Sequence, residues 1–172
     1  LQYRQKICLC IFKHSRIVIL RCFICNSTIY AGVYKAVMMN NNSFMKKALE
    51  LANRAGKIGE IPIGAVIIKR ETGEIVGEGY NRRETDKNPT AHAEIIAINE
   101  ASKALGGWRL SGCDLYVTLE PCPMCAGAII NSRIDNVYFG AYDLKAGSVC
   151  SVQNMFSLPY NHKPHYYGGI ME

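Results

Sequence analysis

The sequence predicts an α/β fold: a three-layer α/β/α sandwich around a mixed five-stranded sheet. Three observations carry that expectation. Short runs rich in Val, Ile and Tyr alternate with segments whose apolar residues recur every three or four positions, the order that builds a sheet covered by helices. The first two runs follow each other directly, as a hairpin, so the sheet is not wholly parallel. A length of 172 residues is one domain's worth, and no internal repeat divides it.

Each element has its own local signal. Ser43 is placed to cap a helix in which Met45, Ala48, Leu49, Ala52 and Ala55 recur at helical spacing, with Gly56 as its stop. Residues 64–69 and 75–80 read as strands joined by a turn around Thr72 and Gly73. Pro89 and Thr90 punctuate before a helix expected over 91–103, which Gly106 and Gly107 end. Residues 115–118 form a short apolar strand, and Pro121 is placed to open the next helix, through Asn131. Residues 137–140 make a further strand, and 165–168 the last and weakest.

Charge and cysteine divide the chain unevenly. Residues 1–37 contain Arg4, Lys6, Lys13, Arg16, Arg21 and Lys35 and no acid. Removing these six from 20 basic residues leaves 14 against 14 acids, so the net charge of +6 belongs wholly to the front segment. A neutral body gives bulk charge no argument for nucleic-acid binding, although a local basic patch stays open. Cys8, Cys10, Cys22 and Cys25 lie in front; Cys113, Cys122, Cys125 and Cys150 lie behind. Eight cysteines in this length fall short of a disulfide scaffold, and no convincing signal peptide is present, so a reducing compartment with free thiols is expected.

The apolar runs 7–12 and 17–20 are broken by Lys13, His14, Arg16 and Arg21 with neither a helical nor an alternating period. Met38 and Met39 stand directly before the polar stretch 40–43. Residues 1–37 are therefore expected to be a non-native or disordered extension, with translation starting at Met38 or Met39, and residues 38–172 to be the folded domain. A zinc knuckle of Cys8, Cys10, Cys22 and Cys25 is one alternative, and a targeting role for the basic stretch is another. The composition, 49% hydrophobic and 20% charged, is that of a globular chain. No uncharged apolar run reaches the ~18 residues that a membrane span needs.

Chemistry concentrates at two expected helix starts. One reads Thr90-Ala91-His92-Ala93-Glu94, the other Glu120-Pro121-Cys122-Pro123-Met124-Cys125. Cys122 and Cys125, three apart, share a helix face, and a place in the first turn favours thiolates. His92 adds a nitrogen, giving three ligands and an open fourth position, the mark of a catalytic rather than a structural Zn²⁺. On a regular helix Glu94 points about 200° away from His92, so both face one ion only if His92 lies at an irregular first turn. Two thiolates and a neutral imidazole leave zinc formally uncharged, and its water less acidified than at a three-imidazole site. A carboxylate at Glu94 that takes the proton makes up the difference and can pass it to a leaving amine. The combination points to hydrolytic deamination of an amino-substituted heterocycle. Taken singly, the cysteine pair also fits a redox motif, His92 a structural histidine and Glu94 a partner of the helix dipole. Glu120 is read as a dipole partner only. The conjunction of H-x-E with P-C-x-x-C favours the metal centre.

That pair of motifs resembles the zinc-dependent cytidine and nucleoside deaminase superfamily. Within it, the chain is similar to the bacterial tRNA-specific adenosine deaminases at 62–66, 79–81, 89–95, 108–110, 115–128, 132–134, 139–143 and 145–147, a resemblance that runs from about Ser43 to the end. It implies conversion of adenosine to inosine at the first anticodon (wobble) position of an arginine tRNA. It implies one Zn²⁺ per subunit on His92, Cys122 and Cys125, a zinc-activated water adding to carbon 6, and Glu94 as the proton shuttle to ring nitrogen 1 and the departing ammonia. It further implies that Asn81 holds the purine's imidazole edge, that the main chain at Ala91 helps fix the base, and that Asp143 contacts the flipped-out nucleotide or its neighbours. A cytoplasmic homodimer acting on the tRNA anticodon stem-loop is expected on the same ground, as is the lack of the family's C-terminal helix. As residues alone, Asn81 and Asp143 read equally well as turn formers after strands. Two other readings stay open. One is a deaminase of a free base such as guanine or cytosine, against which 108–110 and 139–143 speak. The other is a non-catalytic RNA-binding subunit of a two-subunit deaminase, against which Glu94 speaks.

Overall fold

The computed structural model describes residues 27–171, with side chains from Asn42 onward. Its middle layer is a five-stranded sheet of β1 (Gly64–Lys69), β2 (Glu74–Tyr80), β3 (Cys113–Leu119), β4 (Asn136–Ala141) and β5 (His165–Tyr167), in the order β2-β1-β3-β4-β5. β1 pairs antiparallel with β2 and β3, whereas β3, β4 and β5 run parallel. The sheet is mixed, as the initial hairpin requires.

Side-chain alternation sorts the helices onto two faces. Val66, Ile68 and Tyr116 pack against Phe44, Met45, Ala48 and Leu51 of α1 (Ser27–Lys57). Their neighbours Ala65, Ile67, Leu115 and Val117 meet Ala97 and Ala101 of α2 (Ala93–Ala104) and Ala126 and Ile129 of α3 (Pro123–Ser132). The result is the expected three-layer sandwich. α2 lies unusually close to β2, because β2 carries glycine where α2 carries alanine. A Cβ at Gly79 would stand 2.7 Å from the amide nitrogen of Ala97 and closer still to the carbonyl oxygen of Ala93.

α1 departs from expectation at its start. It begins at Ser27, not at Ser43. No Pro and one Gly, Gly32, lie between those positions, so nothing stops the helix from propagating backwards from its buried turns at 44–52. The boundary expected between residues 37 and 38 falls inside one helix. The cysteines of the zinc-knuckle alternative lie outside the described residues. Among the described residues, no helix is long and apolar enough to cross a membrane.

Candidate active site

Both motifs open with a ligand candidate in extended conformation directly before a helix. His92 is the N-cap of α2, at φ −79° and ψ 154°. That bend cancels the angular offset expected between His92 and Glu94 on a regular helix, and Glu94, in the first turn, is buried beside it. Cys122 is the N-cap of α3, at φ −72° and ψ 173°, and its carbonyl accepts the Ala126 N–H at 2.8 Å. Pro123, not the expected Pro121, therefore opens α3. Pro121 stays in the link from β3, where its carbonyl accepts the Ser148 N–H at 2.9 Å.

The three ligand candidates converge. His92 Nδ1 lies 3.8 Å from Cys122 Sγ and 3.6 Å from Cys125 Sγ, and the donor atoms of the trio all fall within 4.8 Å of one another. A tetrahedral ion with Zn–S near 2.3 Å and Zn–N near 2.05 Å requires an S···N separation of about 3.6 Å. Both the donor set and the spacing fit zinc.

The charges at the site are coupled. A hydrogen bond from Cys125 holds the Cys122 thiol down at about 4, against the opposing effect of burial and with further help from His92. The Cys125 N–H, in the first turn of α3, lowers it further, in the direction expected of a helix start. Cys125 is pushed up by its hydrogen bond to Cys122 and by burial, and the His92 imidazole is pushed up by its hydrogen bond to Cys122. Burial raises the Glu94 carboxyl to about 7.

The substrate-binding candidates sit in more specific surroundings than turns alone provide. Asn81, at the end of β2, is buried, and its amide donates to Glu60 Oε2 at 3.4 Å. Glu60 is itself buried and also accepts the Thr85 N–H at 2.6 Å. Ala91 is engaged on both sides: its N–H donates to the Asn88 carbonyl at 3.1 Å and its carbonyl accepts the Arg82 N–H at 3.0 Å. Asp143 closes the turn after β4, with Oδ1 accepting the N–H groups of Lys145 and Ala146 at 2.9 and 3.1 Å. Its own N–H donates to Glu120 Oε2 at 3.2 Å.

Two acids have roles that their local sequence does not show. Glu60 orients Asn81, and no local pattern around it signals this. Glu120 is buried and accepts hydrogen bonds from the segment 143–151, so it is no mere dipole partner. Burial opposes its charge, but the Ser151 hydroxyl and the N–H groups of Ser151, Cys150 and Asp143 hold its carboxyl at about 2. An acid standing directly before the cysteine motif was the available signal.

Residues 38–141 match the family model of the cytidine and deoxycytidylate deaminase zinc-binding region. The chain belongs to this family. Among deaminase relatives, it is 46% identical over 136 residues to the tRNA-specific adenosine deaminase of Bacillus subtilis, covering 78% of this chain and 83% of that one. A solved structure of the tRNA:A34 deaminases, which perform A-to-I editing at the wobble position of transfer RNA, is 47% identical with a TM-score of 0.72. It covers 76% of this chain and 94% of its own. The guanine deaminase of Bacillus subtilis is 38% identical with a TM-score of 0.57, over 73% of this chain and 82% of its own. Zinc is this family's metal, and His92, Cys122 and Cys125 are positioned as its possible ligands.

Proposed function

We propose that this deaminase-family chain hydrolyses adenosine to inosine at the first anticodon position of tRNA. The observation that carries the reading is the convergence of His92 Nδ1 with the Cys122 and Cys125 sulfurs beside the buried Glu94 carboxyl, in a chain this similar to tRNA-specific adenosine deaminases. His92, Cys122 and Cys125 would hold the zinc, which when bound would supply a Lewis acid that polarises water, with Glu94 taking the proton that this formally neutral centre gives up less readily. Glu94 moves the protons. Its carboxyl, poised near neutrality by burial, takes one proton from the attacking water and passes it to ring nitrogen 1; it then takes the second from the hydroxyl left on carbon 6 and passes it to the amino group, which departs as ammonia. Water is consumed and ammonia released, so no redox partner is needed.

Asn81 fixes the base. With one amide hydrogen turned to Glu60, the second remains for an acceptor on the purine's imidazole edge. Ala91, its N–H and carbonyl both tied into the turn before α2, offers a rigid wall and one remaining carbonyl lone pair. Asp143 contacts the flipped-out nucleotide or its neighbours from the loop after β4. The catalytic domain is read as residues 38–172, so a chain begun at Met38 should keep its turnover. A homodimer in the cytoplasm, where tRNA is decoded, completes the reading; light scattering should return twice the monomer mass.

The deciding experiment offers the zinc-loaded 172-residue chain an anticodon stem-loop with a first-position adenosine, and separately free guanine and free cytosine. Inosine in the RNA and no turnover of the free bases is expected. Turnover of a free base with none of the stem-loop overturns the proposal in favour of the guanine-deaminase-like alternative.

A further inference from the structure

Glu120 stands two residues ahead of Cys122, and its carboxylate gathers five donors from one loop. Oε1 accepts the N–H groups of Val149, Cys150 and Ser151 at 3.1, 2.7 and 2.9 Å. Oε2 accepts the Asp143 N–H at 3.2 Å and the Ser151 hydroxyl. The segment 143–151 is thus fastened at both ends to a single side chain. Its middle is fastened to the next residue, where the Pro121 carbonyl accepts the Ser148 N–H. Gly147 is part of the same device, because a Cβ there would run into the Glu120 carboxylate. Between the two fastenings the loop presents Leu144 and Lys145 to solvent, next to Asp143.

We propose that Glu120 is a positioning residue for the reaction: by locking the segment 143–151 onto the turn that carries Cys122, it sets Asp143 at a fixed place relative to the metal ligands. The proposal rests on the reading of Asp143 as a substrate contact. A dipole partner needs no such set of donors, and a residue that only stabilised the loop would have no need to bind both of its ends beside the ligand turn. The arrangement makes the substrate-contacting loop and the ligand-bearing helix start one rigid unit, which is how a site on a loop gains the precision of a site on a scaffold.

The two carboxylate oxygens have separate tasks, and substitution can separate them. In Glu120→Gln the amide oxygen can keep the three bonds of Oε1. The amide nitrogen then faces the Asp143 N–H, donor against donor, and that attachment breaks. Ser151→Ala removes a bond to the same oxygen but leaves the Asp143 N–H in place. With the full zinc-loaded chain, Glu120→Gln is expected to raise KM for the anticodon stem-loop about tenfold, the effect of one charge-assisted hydrogen bond. Its kcat and zinc content should stay near wild type, and Ser151→Ala should leave KM near wild type. Asp143→Ala should raise KM as Glu120→Gln does, and the double variant should raise it no further.

If Asp143→Ala leaves KM unchanged, the substrate-contact reading fails. If Asp143→Ala raises KM while Glu120→Gln does not, the positioning role fails by itself. A fall in kcat or zinc content at unchanged KM in Glu120→Gln would also overturn it. Should Glu120→Gln not fold, Glu120→Asp, which keeps the charge but is one carbon too short to reach both ends of the loop, must show the same rise in KM.

Discussion

Gly79→Ala puts the link between packing and chemistry under direct load. Gly79 lies on β2 against the first turns of α2, the helix whose N-cap is His92 and whose first turn holds Glu94. A Cβ there would sit 2.7 Å from Ala97 N, where ordinary contact begins at 3.4 Å, and nearer still to the Ala93 carbonyl oxygen. The obstacles are helix backbone, which has no rotamer to yield. The start of α2 must therefore retreat by about 0.7 Å or more to restore contact distance. Overpacking of this kind costs about 1–3 kcal/mol of stability. The functional cost should be larger. His92 Nδ1 now stands 3.6 and 3.8 Å from the two sulfurs, and zinc sites tolerate deviations of only about 0.2 Å in ligand distance. Misplacement on the order of 1 Å can lower turnover by about 10²-fold. Chelator competition for zinc affinity, thermal unfolding and single-turnover deamination read the three effects separately. Gly127→Ala is the control: it lies in α3 with nothing within 4 Å of the added carbon, and should be stabilising by about 0.5–1 kcal/mol with full zinc affinity. Wild-type zinc affinity and turnover in Gly79→Ala would refute the claim that helix–sheet contact sets the position of His92.

Three further outcomes follow from the site. Glu94→Gln keeps every ligand candidate and removes the proton shuttle, so zinc content measured by atomic absorption should hold while turnover falls by about 10²–10⁴-fold. Stripping zinc with a chelator, or Cys125→Ala, should lower the midpoint of thermal unfolding, since ligand binding to the folded state alone adds stability; an unchanged midpoint would contradict it. Glu60 holds its carboxyl below the ordinary 4.5, burial being overcome by hydrogen bonds from Thr85. A depressed folded value means that its stabilising contribution is present above pH 4.5 and is lost as pH falls through the folded value. The gap in urea midpoint between wild type and Glu60→Gln should accordingly be open at pH 7 and close on acidification; a gap independent of pH would rule this out.

The parts of this molecule that local chemistry decides are the parts a reader of the sequence can find. The continuous apolar run Ala65-Val66-Ile67-Ile68 places 64–69 as a strand, which the structure covers on both faces, and Gly73, at φ 70°, makes the turn that follows. The spacing of His92 and Glu94 already demands a bend in the chain, and the extended N-cap supplies it. What escaped depends on partners far away in the chain. Pro121 and Pro123 are equally suited to a first helical turn, and the choice falls to Pro123 because the Pro121 carbonyl is held by Ser148 and the Cys122 carbonyl accepts from Ala126. Glu120 and Glu60 owe their roles to loops 23 to 31 and 21 to 25 residues away, respectively, contacts that no local periodicity encodes. Ser43 is a competent cap that goes unused as one, because an uninterrupted helix runs through it.

Hydrolytic deamination of a wobble adenosine at a glutamate-assisted zinc site places an oxygen from water in the product, and that oxygen can be weighed. The zinc-loaded 172-residue chain should be incubated with an anticodon stem-loop bearing a first-position adenosine in heavy-oxygen water, and the digested nucleosides weighed by mass spectrometry. Inosine carrying solvent oxygen is expected at that position, with ammonia released in equal amount and both products formed about 10²–10⁴-fold more slowly by Glu94→Gln. Absence of inosine, or inosine formed equally well by Glu94→Gln, would contradict that mechanism.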